Sequence, residues 1–185
     1  YNHKHFPKLS VEALERSKTD FDFEIIFVDN ASTDPISLGF LHQASREGRI
    51  KFIRSKKNLG FSGGNNLGVG GARGGVDGGI GGMGGGADGR MAASGEYLLF
   101  LNPDTAVLED TLQKMVNFLD RIPDAGILGP QLVYADGTVQ ESCRRDMRFM
   151  DLVVKRTPLR QFPWGRTRLE NYLMGDFDHE KTQSV

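Results

Sequence analysis

Apolar positions along this 185-residue chain fall into short unbroken runs and stripes at helical spacing. The runs at residues 23–28 and 96–101, the second being Glu96-Tyr97-Leu98-Leu99-Phe100-Leu101, predict parallel strands covered on both faces. A shorter run at 50–54 predicts a third. Ile36, Phe40, Leu41 and Ala44 recur on one helical face, as do Leu108, Leu112, Met115, Val116 and Leu119. Leu9, Ala13 and Leu14 mark a short helix over 9–17. Asp34-Pro35 reads as a helix start and Gly48 as a stop. Glu109, Asp110 and Arg121 suit the dipole of the 108–119 helix, which Pro123 ends. Residues 126–133 predict a strand that Asp136-Gly137 turns back as a hairpin through 138–142. Residues 149–155 predict one more helix, and periodicity is poor beyond it. Strands alternating with helices predict an α/β fold with a mostly parallel sheet flanked by helices.

Two of the predicted strands end in a carboxylate. Residues 23–28 run into Asp29-Asn30 and residues 96–101 into Asn102-Pro103-Asp104. The carboxyl edge of an open α/β sheet is where ligands bind. Two acids at one edge suit a nucleotide and its metal. Asp104 can ligate a hard divalent cation, or it can cap the helix near Leu108. Asp29 can accept from a base N–H or ribose hydroxyl, or close a local turn within residues 30–34. Residues 58–66, Asn58-Leu59-Gly60-Phe61-Ser62-Gly63-Gly64-Asn65-Asn66, supply small residues and amides that let backbone N–H groups approach a phosphate, or form a plain glycine-rich turn. Most of the 24 glycines fall within 60–95. Since glycine disfavours helix interiors, no stable helix is expected over 70–89, which reads as a flexible surface loop within an insert spanning about 68–95. Gly79-Ile80-Gly81-Gly82-Met83-Gly84 matches a dinucleotide-binding pattern, but no strand precedes it and glycine is abundant enough to produce the match.

Charge changes the picture only locally. With 23 basic and 24 acidic residues the net is −1, which points neither toward nor away from nucleic acid. One cysteine, Cys143, excludes an internal disulfide and is read as a small buried or half-buried residue. No apolar run reaches the ~20 residues that span a bilayer. Residues 144–168 hold eight basic and two acidic residues with Phe149, Phe162 and Trp164 between them. They form a surface for an anionic membrane or a diphosphate-bearing acceptor, or a solvated basic face; no nucleic-acid module frames them. His3, His5 and His42 lack ligand spacing. His179, in Asp176-Phe177-Asp178-His179, is either a site element or structural.

Three motifs resemble those of family 2 glycosyltransferases of the GT-A, Rossmann-like fold. They are Phe27-Val28-Asp29-Asn30-Ala31-Ser32-Thr33-Asp34, then Asn58-Leu59-Gly60-Phe61 with Gly64-Asn65-Asn66, then Phe100-Leu101-Asn102-Pro103-Asp104-Thr105. Leu128-Gly129-Pro130, Asp136-Gly137, Ser142-Cys143-Arg144-Arg145 and Gly175-Asp176-Phe177-Asp178-His179 resemble the rhamnosyltransferase-like branch. The resemblance covers the chain except its glycine-rich insert and implies one partial nucleotide-sugar-binding domain over 1–185. It implies that Tyr1, Asn2 and Asp29 contact the donor base or ribose. Asn58, Gly60, Gly64 and Asn65 would line the donor and its diphosphate. Asn102 and Asp104 would stand where the family's Asp-x-Asp motif lies, with Asp104 the ligand of Mg²⁺ or Mn²⁺.

The implied activity is metal-assisted, inverting transfer of a sugar, with rhamnose the first candidate. The donor would be dTDP- or UDP-linked and the acceptor a glycan or lipid-linked sugar, in cell-wall or polysaccharide synthesis. The implied location is the cytoplasm, at the inner membrane face with peripheral contact. Relative to the family, the first strand before Tyr1 and the acceptor half after Val185 are expected to be missing, and with them the general base that inversion requires. A nucleotide-sugar-binding module without turnover is the alternative. A nucleotidyltransferase would need a glycine-rich signature in a region this chain lacks.

Overall fold

Asp34 starts a helix as its position predicts. The structure, a computed structural model, describes residues 4–70, 93–174, 176–178 and 181–182. In it Asp34 accepts a hydrogen bond from the Ser37 N–H at 2.8 Å, at the N-cap of a helix with Pro35 first inside. The elements up to residue 125 are α1 (Phe6–Glu15), β1 (Ile26–Asp29), α2 (Pro35–Arg46), β2 (Lys51–Arg54), α3 (Gly60–Val69) and α4 (Thr111–Arg121). Then follow β3 (Leu132–Val133), β4 (Val139–Gln140), α5 (Phe149–Arg156), a 3₁₀ turn (Pro158–Gln161) and α6 (Pro163–Tyr172). The chain divides into two compact units, residues 1–125 and 126–185.

In the first unit β1 and β2 pair in parallel, with Ile26 opposite Lys51 and Asp29 opposite Arg54. Val11, Leu41, Ala44 and Ile50 form the core, and Ile25, Phe27, Phe40 and Phe52 pack against it. Burying Leu41 and Val11 contributes roughly 1.5–3 kcal/mol each. Leu9 and Ile36, expected on the buried faces, are 54% and 53% exposed. Val11 and Ser37 are buried instead, beside the expected Ala13, Leu41 and Ala44. Gly48, at φ +73°, ends α2 as predicted, and the Arg49 N–H bonds the Ala44 carbonyl. The chain after α1 is tied to α4: the Lys18 N–H bonds the Glu109 carbonyl and the Asp20 N–H bonds Gln113 Oε1.

The predicted strand at 96–101 is absent. These residues follow an irregular path, with Leu98, Leu99 and Phe100 exposed. A strand needs a partner for its backbone groups, and among the described residues β1 pairs with β2 alone. The mostly parallel sheet is accordingly a two-stranded one. Conversely, residues 60–69, which take in most of the segment read as a phosphate-approaching stretch or a plain glycine-rich turn, form α3. Packing explains this. A side chain at position 68 would come within 2.9 Å of Val28 Cγ2, so glycine is what lets α3 lie close against β1. The remainder of the glycine-rich insert, including Gly79 and Gly84, lies outside the described residues.

Glu24 joins β2 to the segment at 94. Its carboxylate accepts the Ser94 N–H and Oγ–H and lies 2.5 Å from Lys51 Nζ. Lys51 and Ser94 together hold its pKa down, to about 2. A depressed carboxylate stabilises the fold above its ordinary pKa and loses that contribution as pH falls through its folded pKa. Glu24→Gln should therefore lower stability near neutrality by about 1 kcal/mol, after solvent screening. It should also flatten the loss of stability between about pH 4.5 and 2. Thermal melts across that range check this.

In the second unit β3 and β4 form the predicted antiparallel hairpin, with Gly137 at φ +85° and the Asp136 carboxylate accepting the Thr138 N–H. The expected strand at 126–133 shrinks to its last two residues, and Ile127 is 95% exposed. Of the last two motifs singled out above, one residue from each meets: Arg145 Nη2 lies 2.9 Å from Asp176 Oδ2.

Candidate donor-binding site

The carboxyl end of β1 carries the most organised polar cluster of the first unit. Asp29 is 4% exposed. Its two oxygens accept the Ser32 N–H at 3.1 and 3.2 Å, and Arg54 Nε lies 3.3 Å from Oδ2. Arg54 also donates to the Ser32 carbonyl at 3.0 Å. Between them Ala31 adopts φ +65°, a left-handed conformation that costs a non-glycine residue roughly 1 kcal/mol. Asp29 thus closes the local turn that was one of its two readings.

Asn30 faces the second motif and uses both ends of its amide. Its Oδ1 accepts the Leu59 N–H at 2.7 Å, and its Nδ2 donates to Asn58 Oδ1 at 2.9 Å and to the Gly60 carbonyl at 3.0 Å. Asn58 Oδ1 also accepts the Gly60 N–H at 2.9 Å. The first and second motifs are therefore one structure, joined across about 30 residues by a single side chain. No spacing rule in the sequence exposes such a contact. The one cue was an amide directly after a strand-ending acid.

α3 begins at this clamp. Leu59 at its N-cap offers no side-chain acceptor; Asn58 takes the Gly60 N–H, and the next first-turn N–H groups are left to water or a ligand. Gly64 is buried, with space for a Cβ 3.6 Å from Asn30 Nδ2, and Asn65 is half-buried in the next position. A helix N-terminus without side-chain bulk is a chemical match for phosphate.

Asn102 and Asp104 lie in a turn closed by the Thr105 N–H to the Asn102 carbonyl at 3.1 Å. Both are exposed. α4 starts at Thr111 with Asp110 at its N-cap, so Asp104 does not cap that helix. Its carboxylate has no ion pair or hydrogen bond among the described residues. Also among the described residues, no three His, Cys, Asp or Glu side chains gather as a metal cage. A lone free carboxylate fits a hard cation whose other ligands are diphosphate oxygens and water. Tyr1, Asn2 and His179 lie outside the described residues.

The family model for glycosyl transferase family 2 matches residues 1–76 and 85–177. The chain belongs to glycosyl transferase family 2. Membership implies a GT-A fold; the described residues are mixed helix and strand, with a small parallel sheet of β1 and β2. An uncharacterized protein of Sinorhizobium fredii, y4gI, is 26% identical over 143 residues, which cover 76% of this chain. The match spans 13% of that protein's length. No solved structure matches.

Proposed function

We propose that this chain is the donor-binding part of a metal-assisted, inverting glycosyltransferase. The donor is a nucleoside diphosphate sugar, dTDP- or UDP-linked, with rhamnose the first sugar to test. The acceptor is a glycan or lipid-linked sugar, met on the cytoplasmic side of a membrane. One observation carries the reading: the Asn30 amide ties the strand-ending acid to the loop that opens α3, a helix whose N-cap residue supplies no side-chain acceptor.

In this reading Tyr1 and Asn2 border the base. Asp29 accepts a base N–H or ribose hydroxyl on lone pairs that Ser32 and Arg54 leave free. Asn58, Gly60, Gly64 and Asn65 border the diphosphate. Asn102 borders the donor beside it, and Asp104 would hold Mg²⁺ or Mn²⁺ against the diphosphate. When bound, the cation offsets the charge that builds on the departing nucleoside diphosphate. The acceptor hydroxyl needs a general base on the opposite side of the sugar, a role we assign to no residue of 1–185.

A nucleotide-sugar-binding module without turnover is the second reading. It is favoured by the irregular path of residues 96–101, which leaves the Asp104 turn without a strand behind it. Donor binding and sugar transfer should be measured for residues 1–185 alone and within the gene's full translation product. Binding in both with transfer in the longer product supports the enzyme. Binding without transfer in both supports the module, and no binding in either overturns both.

A further inference from the structure

The basic segment of the second unit forms one packed hairpin of helices. Asp151, 7% exposed, lies 2.6 Å from Arg168 Nε and so locks α5 to α6, while Val154 is fully buried. At Gly165 a side chain would collide with the Leu159 carbonyl, so α6 starts directly on the 3₁₀ turn. This packing fixes which side chains remain outside. Arg145 and Arg168 are neutralised by Asp176 and Asp151, and Lys155 stands over the Tyr172 ring at 5.7 Å. The guanidinium groups of Arg148, Arg156, Arg160 and Arg166 have no acidic partner among the described residues.

Large apolar side chains sit among these cations. Phe149 is 77% exposed, and Met147, Phe162 and Trp164 are exposed by half or more. On α5, Phe149 and Arg156 are seven residues apart and share the face opposite buried Asp151 and Val154. Lys155, Arg156 and Arg160 line an open cleft of about 270 Å³.

We propose that α5, the 3₁₀ turn and α6 seat this unit on an anionic lipid surface. Arg156, Arg160 and Arg166 would meet headgroup phosphates, and Phe149, Phe162 and Trp164 would enter the interfacial layer. The mixture decides for lipid over a small anion. A free diphosphate needs converging cations and gives exposed Phe149 and Trp164 no role, whereas a membrane interface takes basic and aromatic groups together. Among the described residues no helix is long and apolar enough to cross a bilayer, so these elements would lie on the surface.

Trp164 is the only tryptophan, so its emission reports insertion. With phosphatidylcholine vesicles containing phosphatidylglycerol, we expect a blue shift and co-sedimentation that weaken as salt rises. Pure phosphatidylcholine should give neither. The double variant Arg156→Gln/Arg160→Gln should partition about 30-fold more weakly. Arg156→Lys/Arg160→Lys should bind nearly as the parent does, which separates lost charge from lost folding. No shift on anionic vesicles, or an equal shift on neutral ones, overturns the proposal. So does full release by pyrophosphate at constant ionic strength, which would mark a discrete diphosphate site. No donor or metal enters this experiment, so its failure is distinct from failure of the donor-site reading.

Discussion

Asp104→Ala is expected to erase the Mn²⁺-dependent part of nucleoside diphosphate binding while leaving the fold untouched. The side chain is exposed and has no partner among the described residues, so its removal should change stability by no more than about 0.5 kcal/mol. Its loss should matter only when a cation is present. Disturbing even the outer shell of a metal site costs ten- to a hundredfold in metal affinity. Loss of the sole protein ligand should therefore weaken Mn²⁺-dependent affinity on the order of 100-fold or more. Calorimetric titration of UDP and dTDP, with Mn²⁺ and with chelator, reads both quantities. Affinity in chelator should match the parent. An unchanged response to Mn²⁺ would remove Asp104 from the role.

Asn30→Ala should produce the second large effect, through the shape of the site. Three hydrogen bonds leave with the amide, each contributing about 1 kcal/mol net. Non-additivity and water entry bring the expected loss to about 2 kcal/mol. The loop at 58–60 would then lose its tie to β1, and diphosphate affinity should fall by about tenfold or more with or without metal. Asn30→Asp keeps the acceptor for the Leu59 N–H but sets a carboxylate against Asn58 Oδ1 and the Gly60 carbonyl, so it should do no better than alanine. Wild-type affinity in both variants would show that the clamp serves packing alone.

Local signals are legible in the sequence because their partners are local. The Asp34 cap, the Gly48 stop and the Asp136-Gly137 turn each involve groups within about five residues. The helix at Thr111–Arg121 follows from its apolar stripe. What depends on distant partners is not legible there. The apolar run at 96–101 has the composition of a buried strand, yet a ladder needs a neighbour that composition cannot supply. The segment read as a glycine-rich turn at 58–66 continues as α3, because close packing of Gly68 on β1 offsets the low helix propensity of its glycines. α6 went unseen because Pro163 was its only start signal and its buried face rests on Gly165 rather than on large apolar residues.

At the site, the sequence motifs name Asp29, Asn58 and Gly60, while the joining role of Asn30 is marked only by its place directly after the strand-ending acid. The structure also brings in Arg54, which balances the Asp29 charge from the paired position on β2.

Paramagnetic broadening by Mn²⁺ tests the donor site most directly. With UDP present, Mn²⁺ should broaden the backbone amide signals of residues 58–64 and of 102–105 together, and UMP should not reproduce the effect. Broadening at 102–105 with residues 58–64 untouched, or identical broadening without any nucleotide, would contradict a shared diphosphate–cation site.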